Sequence, residues 1–344
     1  MPMAHNTGAG PGNLLHHQPT TSTSAPSAAA AHHHHQQSSS SSSQAQHNQQ
    51  PQAGAFLNHR GGGRKLLVFR HGERIDFTFN DGAGSWVDRC FDENGRFRRA
   101  NVNMPRTLPA RRDGYRNFSL DTPLTEIGYL QAKLSGRALR DAGVTPDHVY
   151  VSSALRCVQT AVGILKGMNN SSIKMNVEPG LFEWGAWFRP ALPRFMHPTE
   201  FSALGYSVDV EYLPCVEATE INPNEQLAEY YHRSYDVVRR ILNRHSRREC
   251  TIMLVAHGAS LDTCTRQLCG GQPREQHEFF HILHQTPYLA CAAAVERRAV
   301  TPSAGGGTAG ATESARDTQW SVAQPPIQPL QHQSNMSYNW KALC

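Results

Sequence analysis

The stretch Leu66-Leu67-Val68-Phe69-Arg70-His71-Gly72-Glu73-Arg74-Ile75-Asp76 constrains this chain more than any other, because a run of four apolar residues stops abruptly at a cluster of charge and a glycine. Bounded by Arg64-Lys65 and by Gly72, the run predicts a strand inside a parallel sheet, covered on both faces. In open α/β sheets ligands sit beyond the carboxyl ends of the strands, which is where Arg70, His71 and Arg74 fall. Gly72 lets the backbone turn there without a Cβ in the way. Two arginines bracketing a histidine make an anion site, since the guanidinium fork matches phosphate oxygens. Their charge also disfavours imidazolium and keeps a ring nitrogen free to attack, which makes His71 a candidate nucleophile. Arg-His-Gly alone is a weak pattern, and a histidine that merely packs at a strand end is the alternative.

Only part of the 344 residues can build on this strand. The first 63 residues contain Arg60 and no Lys, Asp or Glu, and they include His32 to His35, Gln36-Gln37 and Ser38 to Ser43. Such low-complexity sequence is too poor in large apolar residues to offset chain entropy, so 1–63 is expected to be a disordered tail that joins no core. A flexible polyhistidine with no fixed second shell is assigned no metal. No window combines a basic start with an apolar run, so neither a signal peptide nor a membrane span is expected, and a cytoplasmic or nuclear location follows. The eight cysteines are dispersed without a Cys-x-x-Cys pair, which reads as reduced thiols and provides no metal set. A net charge of +5 is modest for this length and does not argue for a nucleic-acid partner.

From Asp76 to Asp121 the sequence lacks helical periodicity and is rich in Gly, Pro, Asn and Arg, including Arg96, Arg98, Arg99, Arg106, Arg111 and Arg112. A loop this long, directly after the His71 strand, is expected to fold over the mouth of the site and help choose the substrate. Thr125 then caps an expected helix with Ile127, Leu130, Leu134 and Ala138 inward and Gly143 just past its end. His148 to Ser152 reads as a second strand, followed by a helix with Leu155, Val158, Val162 and Leu165 inward. Arg156 lies in that helix's first turn, where an arginine opposes the macrodipole unless it shares an anion with the free N–H groups. Ile173 to Val177 is a third strand. Glu183 follows it, flanked by Phe182, Trp184 and Trp187, which would partly desolvate its carboxyl and suit it to general acid work; a surface glutamate beside exposed aromatics is the alternative.

Pro and aromatic residues leave the segment as far as Tyr212 unassigned. Asn222-Pro223-Asn224-Glu225 carries the start signature of a helix to about Ser246. Thr251 to Ala256 is the clearest internal strand and ends in His257-Gly258, a second strand-end histidine and a candidate phosphate ligand. A helix from about Ser260 to Cys269 comes next, then outer strands at Tyr288 to Arg297 and Thr318 to Ala323. Ala299 to Arg316 reads as a flexible loop, and Tyr338-Asn339-Trp340 has enough aromatic surface to dock back.

Taken together, Arg70-His71-Gly72, Ser153-x-x-Arg156-x-x-Gln159-Thr160-Ala161, Leu181-Phe182-Glu183 and Val255-Ala256-His257-Gly258 resemble the histidine phosphatase superfamily, in order and in strand-end position. Within it, Arg-His-Gly-Glu-Arg-Ile-Asp-Phe-Thr-Phe, Asn103-Met104-Pro105-Arg106 and Glu178-Pro179-Gly180-Leu181-Phe182-Glu183-Trp184 closely resemble the C-terminal phosphatase domain of the ubiquitin-associated and Src-homology-three domain proteins and the related ecdysteroid-phosphate phosphatase. The resemblance covers about Arg64 to Lys341 and implies one domain over 64–344 with a phosphoglycerate mutase-like fold, a three-layer α/β/α arrangement around a mostly parallel sheet. It implies that His71 is phosphorylated, that Glu183 is the acid, and that Arg70, Arg74, Arg156 and His257 form the phosphate pocket, with no cofactor. The implied substrates are phosphotyrosine protein or steroid phosphate, and a homodimer is implied too. Family members carry ubiquitin-binding and Src-homology domains where this chain has its low-complexity tail, so ubiquitin and proline-rich partners are not carried over. Superfamily mutases carry a Ser after the Glu of the first motif and an Asn a few residues on; Arg74 and Phe77 stand here instead, which favours hydrolysis over phosphoryl return. A non-catalytic phospho-ligand adaptor is the other alternative, and the intact nucleophile and acid argue against it.

Overall fold

A computed structural model describes Phe56 and residues 63–79, 84–245, 249–298 and 318–330. In chain order its main elements are β1 (Lys65–Arg70), α1 (Ile75–Thr78), α2 (Trp86–Cys90), α3 (Glu126–Asp141), β2 (His148–Val151), α4 (Leu155–Gly167), β3 (Met175–Val177), α5 (Pro198–Ala203), α6 (Leu227–Arg244), β4 (Thr251–Ala256), α7 (Ser260–Thr263), α8 (Gln276–His284), β5 (Cys291–Arg298) and β6 (Thr318–Ala323). The six strands form one sheet in the order β3-β2-β4-β1-β5-β6. Its first four strands are parallel, and β5 and β6 extend it antiparallel beyond β1. Both faces are covered, as the continuous apolar runs required. Leu66, Val68, Ile252 and Leu254 pack against Val237, Val238 and Ile241 of α6. Leu67, Phe69, Met253 and Val255, pointing the other way by the period-2 alternation of strands, pack against Val158, Ala161 and Ile164 of α4.

Several expectations are corrected by packing. In α3, Thr125 does cap, its hydroxyl accepting the Gly128 N–H at 2.9 Å. The inward face is rotated: Ala138 packs against the core as expected, but Ile127 and Leu130 are 47% and 52% exposed, while Gly128, Ala132, Ser135, Gly136 and Leu139 are buried. The cause is backbone-to-backbone contact with α4, so close that a Cβ on Gly136 would stand 2.0 Å from the Ile164 carbonyl oxygen. Small residues permit that approach, and a seam of leucines would not. Helix α6 starts at Leu227 behind a Gln226–Glu229 capping box; Asn222 and Glu225 instead bond within the preceding turn and beyond it. Helix α7 stops at Thr263, with the Thr265 hydroxyl bonded back to the Leu261 carbonyl at 2.6 Å, a side-chain competitor to regular helix. Strand β3 begins only at Met175. Strand β5 begins at Cys291, because Leu289 turns the chain at φ 58°.

Helices α5 and α8 had no assignment from the sequence; α5 opens on a His197–Glu200 capping box and Pro198, and α8 buries Phe279 and Ile282. The described residues of the 76–121 segment form no long helix but share an aromatic cluster, in which Phe91 stacks on Tyr115 at 4.7 Å and contacts Phe97, Phe118 and Trp86. Phe56 is 1% exposed in the cluster that contains Leu67 and Phe69, so the expectation that nothing before Arg64 joins the core is corrected at this residue. Composition averaged over a window hides a single aromatic anchor. The 299–316 loop and the 338–340 aromatic triplet lie outside the described residues.

Candidate active site

The parallel strands deliver the site groups at their carboxyl ends: His71 after β1, Arg156 in the first turn of α4 after β2, Glu183 after β3 and His257 after β4. His71 is 2% exposed, and its backbone N–H donates to the Ala256 carbonyl at 2.9 Å, holding the two histidine-bearing strand ends together. Its Nδ1 lies 2.8 Å from the Gly72 carbonyl. A carbonyl only accepts, so Nδ1 carries the proton and Nε2 keeps a free lone pair. Burial, then the charges of Arg156, Arg70 and Arg74, hold the imidazole pKa well below the ordinary histidine value. Gly72 is required here, since a Cβ would stand 2.8 Å from the Gly128 carbonyl oxygen at the start of α3. The Gly72 N–H donates to Thr160 Oγ1 at 2.9 Å, and that hydroxyl donates to the Arg156 carbonyl at 2.7 Å, tying the histidine turn to α4.

Arg156 is fully buried. Its Nη2 donates to Glu183 Oε1 and lies 3.2 Å from His257 Nδ1, while its Nε and Nη1 are buried without a partner among the described residues. Because Arg156 only donates, His257 Nδ1 accepts, and His257 Nε2–H donates to Ser152 Oγ at 2.9 Å. Burial first, then Arg156 and His71, keep His257 neutral. Arg74 forks onto Asp76 at 2.7 and 2.6 Å and places Nη1 4.0 Å from Glu183. Arg70 donates Nη1 to the Thr286 carbonyl, lies 4.4 Å from the Tyr288 ring centroid and buries an unpartnered Nε. Cys157, 3.7 Å from His257 Nε2, has its thiol pushed up to about 12 by burial and is a poor competing nucleophile.

Glu183 is 7% exposed, but not among the aromatics expected around it. In the extended link that carries it, neighbouring side chains point to opposite sides. Phe182 turns its edge to His257 at 5.3 Å, Trp184 packs on Phe279 at 5.9 Å, and the carboxylate faces Arg156, Arg74 and His257. All six site residues read from the sequence therefore meet in one buried cluster. The 76–121 arginines contribute little to it: Arg98 pairs with Asp92, Arg99 bonds the Met104 carbonyl, and it is Asp76 and Phe77 that reach Arg74.

Sequence reasoning missed Tyr288, which falls in a stretch that reads as strand, and Asp121. Asp121 is completely buried, accepts the Leu155 N–H at 2.8 Å and pairs with Arg111 at 2.7 Å. Ala154 occupies the N-cap of α4 and cannot cap it; an uncapped helix start is the signal that a distant side chain does so.

Buried guanidinium donors, an imidazole with one free nitrogen and a carboxylate are the groups that phosphoryl transfer through histidine calls for. The chain belongs to the histidine phosphatase superfamily, and its three-layer α/β/α arrangement is the phosphoglycerate mutase-like architecture expected from the sequence. The sequence profile of that superfamily (branch 1) matches residues 109–292, downstream of the His71 strand. The chain is 37% identical over 283 residues to the ecdysteroid-phosphate phosphatase of Drosophila melanogaster, covering 81% of this chain and 34% of the relative. It is 37% identical over 296 residues to ubiquitin-associated and SH3 domain-containing protein B of Mus musculus, covering 85% of this chain and 43% of that protein. The chain thus spans well under half the length of these curated relatives. The crystal structure of the ecdysone phosphate phosphatase from Bombix mori in complex with tungstate superposes with a TM-score of 0.64 at 32% identity, covering 82% of this chain and all of that one.

Proposed function

We propose that this chain hydrolyses phosphate monoesters through a phosphohistidine at His71. The observation that carries the reading is the buried imidazole with Nδ1 bonded to Gly72 and Nε2 free, set beside guanidinium donors that have no partner among the described residues. In the first step the Nε2 lone pair attacks phosphorus in line, the bond to the leaving oxygen breaks, and Glu183 gives that oxygen a proton. In the second, the Glu183 carboxylate takes a proton from water as the water oxygen attacks phosphorus, the P–N bond breaks and orthophosphate leaves. Arg70, Arg74 and Arg156 stabilise the charge on the equatorial oxygens; His257, expected as a phosphate ligand, has its ring nitrogens engaged by Ser152 and Arg156 and so helps hold Arg156 instead.

The substrates that fit are steroid phosphates, named in two of the relatives, and phosphotyrosine protein, the other class the resemblance implies. A homodimer belongs to the same proposal; it would cover apolar surface such as Ile127 and Leu130, and a solution mass measurement decides it. The test of function is turnover by the full chain of nitrophenyl phosphate, a steroid phosphate and a phosphotyrosine peptide, each abolished in His71→Asn. Turnover that survives in His71→Asn refutes the mechanism, and a folded chain that binds phosphate but turns over none of the three is an adaptor.

A further inference from the structure

Glu183 sits in no helix or strand; it lies between two short 3-10 turns, Pro179–Leu181 and Gly185–Phe188, so regular backbone bonding does not fix where its carboxylate points. What holds this link comes from the neighbourhood of α6. Arg233 donates Nη1 to the carbonyls of Gly180 at 2.7 Å and Phe182 at 2.9 Å, and Nη2 to the carbonyl of Glu183 at 3.2 Å. Glu225 accepts Arg233 Nε at 3.0 Å and Nη2 at 2.6 Å, and its Oε1 also accepts the Gly185 N–H at 2.9 Å. The Glu225 carbonyl accepts Trp184 Nε1 at 2.9 Å. Every residue from Phe182 to Gly185 is therefore bonded to Arg233 or Glu225, and both side chains are nearly buried, at 10% and 5% exposure.

We propose that Arg233, held by Glu225, is a positioning residue for the acid step, fixing the Glu183 backbone so that its carboxyl meets the leaving oxygen. The inference rests on the acid role proposed for Glu183. Arginine suits this role because one rigid planar fork reaches three carbonyls and a carboxylate at once, which a single ammonium cannot do. Its charge is neutralised by Glu225 rather than by Glu183, which leaves the Glu183 carboxyl free to face Arg156 and the reacting atoms. A group that transfers a proton has to be held within about 0.5 Å of its productive place.

The test is the single-turnover rate of enzyme phosphorylation for wild type, Glu183→Gln, Arg233→Met and the double variant, each with a simple alkyl phosphate and with nitrophenyl phosphate. Only the alkoxide needs a proton as it leaves. Arg233→Met is expected to slow the alkyl phosphate roughly 10- to 100-fold, the scale of loss from a misplaced catalytic group, and nitrophenyl phosphate far less. In the Glu183→Gln background the same change should cost nothing further with the alkyl phosphate, because the group it positions is already gone. Equal losses on both substrates, or additive losses in the double variant, overturn the proposal. If Glu183→Gln itself shows no leaving-group dependence, the acid assignment fails, and that outcome is separable because it appears without any change at Arg233. Should Arg233→Met not fold, Arg233→Lys keeps the charge beside Glu225 and must show the same pattern at smaller amplitude; wild-type kinetics in that variant overturn the proposal.

Discussion

Replacing Arg156 by Met removes the two buried donors, Nε and Nη1, that have no partner among the described residues. Each charge-assisted hydrogen bond to a phosphate oxygen contributes about 1.5–3 kcal/mol, so losing both costs about 3–6 kcal/mol. That corresponds to a fall in kcat/KM of about 10²–10⁴. Nitrophenyl phosphate is the substrate to use, because its leaving group departs without a proton and the severed contact between Arg156 and Glu183 does not enter the first step. Inhibition by an added oxyanion such as tungstate should weaken in parallel, since the proposal places either oxyanion on the same donors. Arg156→Lys should recover part of the loss, as a point charge without the fork. Thermal melting separates these effects from misfolding; in the wild-type chain Glu183 also lies 4.0 Å from Arg74 Nη1. A loss under tenfold, or unchanged tungstate inhibition in a folded variant, would refute the view that Arg156 holds the phosphate.

Further predictions concern stability. His71 and His257 are kept neutral in the fold by burial and neighbouring arginines, so below the ordinary value near 6.5 the unfolded chain binds more protons, and stability falls as pH drops. Each contributes a slope of at most about 1.4 kcal/mol per pH unit, and urea unfolding at pH 7 and 5.5 should show a shallower fall in His71→Asn; an identical fall would mean His71 is already charged in the native state. Phe56→Ala should cost roughly 3 kcal/mol in urea unfolding, as for a buried core aromatic, whereas no loss would return Phe56 to the tail. Asp121→Asn keeps an acceptor for Leu155 but strips the buried Arg111 of its carboxylate, costing about 3–5 kcal/mol, and adding Arg111→Met should restore much of it. Strictly additive losses in that double variant would show that the pair is not coupled.

Much of the fold and the pocket is legible in the sequence because the decisive signals are local. Leu66 to Phe69 and Thr251 to Ala256 are short apolar runs ending in a histidine and a glycine, and strand ends are where an α/β sheet gathers its ligands, so the pocket follows from the order of motifs. What escapes is set by long-range packing. The buried face of α3 is made of Gly, Ala and Ser because α4 approaches within backbone contact, and no hydrophobic periodicity reports that. The surroundings of Glu183 differ from expectation because its sequence neighbours Phe182 and Trp184 point away from its carboxylate, while Arg156, 27 positions upstream, meets it. Tyr288 enters the site through the turn at Leu289, a left-handed residue with no glycine to announce it.

If phosphate passes through Nε2 of His71, the intermediate can be caught. Rapid quenching of the full chain during turnover of nitrophenyl phosphate, under alkaline conditions that preserve phosphohistidine, followed by peptide mass spectrometry, should find an acid-labile phosphate on His71. It should form as fast as nitrophenolate is released, accumulate in Glu183→Gln and be absent from His71→Asn. An active enzyme whose trapped phosphate sits on a cysteine, a serine or another histidine would contradict the mechanism.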